Sequence, residues 1–310
     1  MATSKSEFIE RKENLNIILA VVFLFLQIAT LVLIPLLAVP HNPEYFVFLV
    51  IPLLFTNSWW AFIHESIHGS LFFARLANKL AGRVNGLLFG ASFYLLRSGH
   101  MLHHALSRTP RDRSEVYVEH KDNLKFFSLV YYIRLVGGLY FLELLGGLLL
   151  LLPRSWIWRI SSKITSEQNM IELLVARVLK EDVILAVRLD EMLILLLYVL
   201  SILLYGKYYW VLLLALAVRG FLISIMDNAF HYGTKLGKPE SSRNLWLPKW
   251  ASSMILNFNF HRNHHLHQSV PWHLLPEIEN QENASNKPNL LTALVSQFKG
   301  PIPESDFIKR

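Results

Sequence analysis

Cysteine is absent from this 310-residue chain. That excludes disulfides, thiolate zinc sites, cysteine-held iron–sulfur clusters and cysteine nucleophiles together, so any metal must be held by nitrogen or oxygen. Charge is scarce as well. Asp, Glu, Lys and Arg make up 17% of the residues against 53% hydrophobic ones, with a mean hydropathy of +0.35, a balance foreign to a soluble domain. Lys and Arg number 30 against 23 acidic residues, but no basic patch is interleaved with aromatics, and nucleic acid is not an expected partner. The excess fits positive charge retained on the cytoplasmic side of a membrane. There is no H-P-G-G haem segment, flavin fingerprint or internal repeat.

What the chain does contain is long apolar runs. Leu15 to Val39 is too long for the core of a cleavable signal peptide and reads as a first span. Pro40 to Glu44 is a turn without Lys or Arg, which places it outside, and Tyr45 to Ala61 returns as a second span. Residues 191–205 and 208–225 read as a second hairpin, its outer turn at Gly206-Lys207 flanked by Tyr205, Tyr208, Tyr209 and Trp210. Three further segments are expected to be re-entrant or interfacial. They are 87–96, too short to cross, 126–152, which carries Arg134 and two glycine pairs, and 168–190, whose helical period leaves one wet face. The prediction is an all-α, multi-pass integral membrane protein. It has one membrane-embedded domain over residues 1–310, four transmembrane helices in two hairpins, and a histidine-rich cap. Cap and termini are cytoplasmic, in a bacterial inner membrane or the endoplasmic reticulum.

Histidines gather near the cytoplasmic ends of these segments, as His64 and His68; His100, His103 and His104; His231; and His261, His264 and His265. Within each cluster the spacing is i, i+3 or i+4, so the rings share one helix face. Imidazoles crowded in this way would repel one another when protonated; neutral rings binding first-row transition metals account for them. Nine ligands exceed the roughly six that one metal accepts and suit two metals with four or five nitrogens each. His41, His120, His267 and His273 fall outside the pattern and are expected to be surface or structural residues.

His64-Glu65-Ser66-Ile67-His68 is also literally H-E-x-x-H, the zinc metalloprotease signature with Glu65 as general base. That reading needs two histidines and one more ligand, and leaves the other clusters without a role. A non-catalytic metal transporter should place its ligands within spans rather than at their ends. Zinc alone does not activate oxygen, whereas attack on an unactivated C–H bond of an apolar substrate requires a redox metal and O2.

Taken in order, H-x-x-x-H, H-x-x-H-H and H-x-x-H-H around paired hairpins resemble the membrane fatty acid desaturase and hydroxylase superfamily of di-iron enzymes, over about Trp59 to Pro276. Asp227 to His231 is similar to the family's N-x-x-x-H element, with Asp227 at the asparagine position and Asn228 beside it as the alternative equivalent. The resemblance implies that the nine clustered histidines bind two iron ions, with Asp227, Asn228 and Glu65 as further ligands or supporting groups. It also implies O2 as co-substrate and a double bond introduced into a fatty acyl chain. Gly69 directly after the first box resembles carotenoid ketolases and hydroxylases, so hydroxylation or ketolation of a lipid or carotenoid is the alternative. Expected partners are the bilayer, an acyl lipid, acyl-CoA, acyl-ACP or carotenoid substrate, and an external donor such as ferredoxin, rubredoxin or cytochrome b5. Asp182, Asp190 and Glu191 read as solvated charges, and Arg97, Arg108, Arg111, Arg113, Arg243 and Lys249 as surface charges of the cytoplasmic face.

Overall fold

A computed structural model describes residues 12–167, 169–238, 241–278 and 287–308. It is built from helices, with one two-residue pairing of parallel strands, β1 (Val116–Tyr117) against β2 (Ile302–Pro303).

The first helix, α1 (Glu13–Ala38), is inside-out by the standards of a water-soluble protein. It buries Asn16, Gln27 and Thr30 and exposes Ile17, Ile18, Val21 and Phe25. That arrangement suits hydrocarbon outside and hydrogen-bond partners inside. Asn16 donates to the Leu71 carbonyl at 2.7 Å, and Gln27 accepts from Arg219 at 2.6 Å. A π-helical turn at Ala29–Leu33 precedes Pro35, whose missing N–H a regular helix would not tolerate. The expected span 15–39 is thus a single helix of the anticipated length.

The second expected span, 45–61, is broken. Helix α2 (Pro43–Leu54) meets α3 (Thr56–His68) at a 43° bend, and α3 runs seven residues beyond the expected end, carrying His64 and His68 inside the helix. It stops at Gly69, whose φ of 73° is the left-handed conformation that closes a helix C-terminus. The segment 87–96, expected to be re-entrant or interfacial, is not one helix. It is the corner between α4 (Arg75–Phe89) and α5 (Phe93–Leu106), turned at Gly90 with φ 98°, and Phe89, Ala91, Phe93 and Leu96 are buried in the main core. Its apolar character serves protein packing rather than lipid.

The run 126–152 falls largely within one kinked helix. Helix α6 (Leu124–Leu149) continues its hydrogen bonding through both glycine pairs, with a π-turn over Arg134–Gly138 and a kink at Gly137. By length and composition it is a candidate span, as is α1; the bent α2–α3 pair is a possible third among the described residues. A short helix α7 (Arg154–Ile164) follows. The amphipathic stretch 168–190 divides into α8 (Ile171–Val178) and the first turns of α9 (Glu181–Tyr205). The predicted hairpin 191–205 and 208–225 exists as α9 and α10 (Tyr209–Ala229), joined through Gly206–Tyr208. These two are not among the candidate spans; α9 carries Arg188, Asp190 and Glu191, and α10 carries Arg219.

Asp190 and Glu191 correct the expectation of solvated charge, because both are fully buried. Asp190 accepts from Arg83 Nε at 2.7 Å and from Ser92 Oγ at 2.9 Å, and Glu191 accepts from the Ser92 N–H at 3.2 Å, so α9 is locked to α4 and to the start of α5. After α10 come the short helices α11 (Lys249–Met254), α12 (His261–Leu266), α13 (Leu290–Ser296) and α14 (Ser305–Ile308). Residues 1–11 and most of the polar stretch 280–289 lie outside the described residues.

Candidate metal centre

Each histidine cluster lies on or beside the end of a helix that faces the others. α3 brings His64 and His68, α5 brings His100, His103 and His104, the turn after α10 brings His231, and α12 brings His261, His264 and His265. All nine converge and separate into two groups. His64, His68, His100, His104 and His264 form one; His103, His231, His261 and His265 form the other; within each, candidate ligand atoms lie within 4.8 Å of one another. Each i, i+4 pair stays in one group, His64 with His68, His100 with His104 and His261 with His265, while His103 and His264 point to the other group from their cluster neighbours.

The contacts within each group are between ring nitrogens. In the first, Nε2 of His100 lies 2.8 Å from that of His68 and 2.9 Å from that of His104, which is 3.1 Å from that of His264. In the second, Nε2 of His231 lies 3.2 Å from that of His103 and 3.1 Å from that of His261, itself 3.1 Å from that of His265. A neutral imidazole has one N–H, so such a ring-on-ring network satisfies its lone pairs poorly. Both nitrogens of His64 are buried without any hydrogen bond. A cation among the Nε2 atoms would satisfy every converging lone pair, and either group could hold a metal ion.

Burial and mutual repulsion keep the rings neutral, as ligation requires. Burial first, then neighbouring imidazoles, push His100, His231, His261 and His264 well below the ordinary histidine range. His103 differs. Burial pulls it down, but Asp112, with Asp227 adding to it, more than reverses the effect and raises it. Asp112 Oδ2 sits 2.6 Å from His103 Nδ1, the geometry that fixes a ligand's tautomer and leaves Nε2 for a metal.

The fatty acid desaturase family matches residues 40–290 of this sequence. The chain belongs to that family. No curated protein and no solved structure matches it.

The polar neighbours expected in this desaturase-family chain are placed less directly. Glu65 Oε1 is 3.7 Å from His64 Nδ1, too far for a hydrogen bond, while Oε2 accepts from Ser70 Oγ at 2.6 Å and from the Trp272 N–H at 3.0 Å. Its carboxylate ties the first box to the proline-bounded turn after the third. Asp227 belongs to neither group, and the Asn228 amide donates to Gln297 at 2.6 Å. His41, His120 and His267 are exposed, and His273 stacks edge-on near Trp272. Arg108 corrects the surface-charge expectation: it is 1% exposed, donates to Glu115 at 2.6 Å and to the Thr234 carbonyl, and sits at φ 65°.

Several supporting residues carry no sequence signal of their own. Asp112 is one charge among several in a loop. Ser107 Oγ lies 3.4 Å from His231 Nδ1, Phe230 stacks on His261 at 4.4 Å, and Phe258 lies edge-on to His64 at 4.8 Å. Asn244 accepts from the N–H groups of Arg262 and Asn263 and so caps the start of α12. Trp59, Trp60, Phe62 and Phe93 belong to the core that backs α3.

Proposed function

We propose that this chain is an O2-dependent di-iron oxidoreductase that introduces a double bond into a fatty acyl chain. The convergence of nine imidazoles into a group of five and a group of four carries the reading, and family membership supports it. When bound, two iron ions would supply the redox activation of O2 that removing hydrogen from unactivated methylenes needs. The protein's part is to present neutral Nε2 lone pairs from three helices and the turn after α10, to hold His103 in one tautomer through Asp112, and to surround the rings with Phe230, Phe258 and the buried face of α3. Those apolar walls keep bulk water from the reacting carbons.

The chain has no cysteine, haem segment or flavin fingerprint, so electrons come from an external donor of the ferredoxin, rubredoxin or cytochrome b5 kind. The turn at 40–44 lacks Lys and Arg, so we place it outside and all nine histidines on the cytoplasmic face. In this topology α1 with α2–α3, and α9 with α10, are the two hairpins. Helix α6 is tied at both ends to neighbouring elements, through Tyr131 to the Gln297 carbonyl and through the Leu150 and Leu152 carbonyls just past its C-terminus to Arg188, and we place it along the membrane interface on the histidine side. The orientation of Glu65 toward Ser70 and Trp272 speaks against a metalloprotease, whose general base must face its metal.

The test is expression with a reductase system, metal analysis of the purified protein, and mass spectrometry of total lipids. A product lighter by two hydrogens from protein carrying about two irons supports the proposal. A gain of oxygen moves the chain to hydroxylases or ketolases with the same centre, and one zinc with unaltered lipid overturns it.

A further inference from the structure

Arg134 stands in the middle of a largely apolar helix that also carries Lys125 and Glu143, and the metal centre does not use it. Charged residues at such positions carry a cost that a structural role alone seldom repays. Arg134 lines two adjoining cavities, an outer one between α6 and the 110–116 loop and an inner one between α6 and α10. The outer, of about 170 Å3, is bounded by Pro110, Arg113, Val116, Phe127 and Val130, with Ser114, Tyr131 and Arg134 shared with the inner one. Pro110 and Val130 are exposed and mark its mouth. The inner cavity, of about 20 Å3, is closed by Leu135, Leu139, Ser224, Asp227 and Asn228.

A space of that size accommodates roughly one water molecule, and a buried water needs two to four polar partners. Six of the eight lining residues are polar. Ser224 is 1% exposed, and its hydroxyl has no hydrogen-bond partner. Leaving a buried hydroxyl unpaired is unfavourable, and an ordered water would remove that cost. No histidine lines the inner cavity, but its walls at Ser114, Asp227 and Asn228 lead to the four-histidine group. Ser114 is two residues from Asp112, the partner of His103, and Asn228 is one helical turn before His231, whose N–H donates to the Asn228 carbonyl.

We propose that these cavities form a water-filled conduit from the surface to the four-histidine group, with Ser114, Tyr131, Arg134 and Ser224 holding its waters. The inference rests on the oxidoreductase reading for its purpose. Removal of two hydrogens from –CH2–CH2– by O2 requires two protons from solvent and two electrons from the donor, and yields –CH=CH– and two waters. Oxygen insertion into a C–H bond takes the same two protons and electrons and yields one alcohol and one water. In either case protons must reach a dry site and water must leave it, and the conduit does both without opening the acyl-binding side.

The experiment is X-ray radiolytic footprinting of the metal-loaded full-length protein, in which hydroxyl radicals formed from bound water label the side chains beside it. Tyr131, Leu135 and Leu139 are expected to label despite their burial, whereas Tyr205 and Tyr140, both fully buried in packed core, are not. S224V fills the inner cavity. It should bring Leu135 and Leu139 down to the level of Tyr205, leave the metal content unchanged, and slow turnover roughly tenfold, as expected when proton delivery is impaired. If wild-type Leu135 and Leu139 label no more than Tyr205, the conduit is overturned, and this comparison stands even if S224V fails to fold. Labelling that persists in S224V with full metal content also overturns it. Labelling as expected in a protein that oxidises no lipid upholds the conduit and removes the oxidoreductase reading instead.

Discussion

The two histidine groups share α5 and α12, the first adding α3 and the second the turn after α10, yet they are supported differently. In the group of five, rings pack on rings and on Phe258, and the adjacent carboxylate, Glu65, is turned away to Ser70 and Trp272. In the group of four, Asp112 grips His103 and Ser107 lies against His231, and the proposed conduit leads toward it. The first group is held by numbers and packing, the second by packing on Phe230 and by one carboxylate hydrogen bond, His103 to Asp112, around fewer nitrogens. The difference suggests that one site retains metal robustly while the other is tuned, hydrated and easier to perturb.

The largest expected effect follows from removing a ligand where there are fewest. H265A should abolish lipid oxidation and remove the metal of the four-histidine group, whereas H264A leaves four imidazoles in the other group. H264A should likewise lose activity but retain more metal than H265A; metal analysis of the two variants decides, and equal losses would erase the asymmetry. Replacing exposed His41 or His267 by alanine should change neither quantity.

Next comes D112N. Losing the carboxylate behind a ligand imidazole typically costs roughly 10–100-fold in metal affinity, and the loss should be confined to the four-histidine site in a chelator titration. A smaller effect is expected for S107A. A 3.4 Å contact to His231 contributes about 1 kcal/mol at most, a few-fold in affinity by the same titration.

Acidity separates the groups in the metal-free protein. His100 and His264 are pushed down by burial, so their unfolded rings would take up protons near pH 6.5 while the folded ones would not. Their contribution is full above that value and is lost as pH falls through it. His103 has the opposite sign, because Asp112 raises it. Its contribution is full below about 6.5 and disappears as pH rises through the higher folded value. Thermal melts of metal-free protein in detergent should therefore weaken on acidification, and D112N should steepen that weakening. A D112N melt with unchanged pH dependence would contradict the assignment.

Much of the site could be read from the residues because helical spacing and chemistry coincide there. An i, i+3, i+4 set of imidazoles on a short segment leaves few alternatives, and the grouping of nine ligands as five and four followed from coordination number. The division itself was hidden. That His103 and His104 serve different groups depends on how α5 crosses α3 and α12, which no local pattern records. Asp112 was hidden for the same reason, as one acid in a loop of Arg111, Arg113 and Glu115.

The fold was legible where hydropathy and lipid exposure agree, as in α1. It was not legible at 87–96, where an apolar run is buried in protein, or at Asp190 and Glu191, whose partners Arg83 and Ser92 lie about a hundred residues away in sequence. Apolar runs report burial without saying against what, and charges report solvation unless a distant partner is known. Helix α6 shows a third limit. Glycine pairs suggest a reversal, yet a π-turn absorbs them as a kink at Gly137.

The central claim is that the nine histidines form two separate metal sites. An anomalous-scattering map of the purified, iron-loaded protein, collected at the iron absorption edge, tests it most directly. The account predicts two peaks per chain, one among His64, His68, His100, His104 and His264 and the other among His103, His231, His261 and His265. A single peak, or a peak bridged by histidines drawn from both groups, would contradict it.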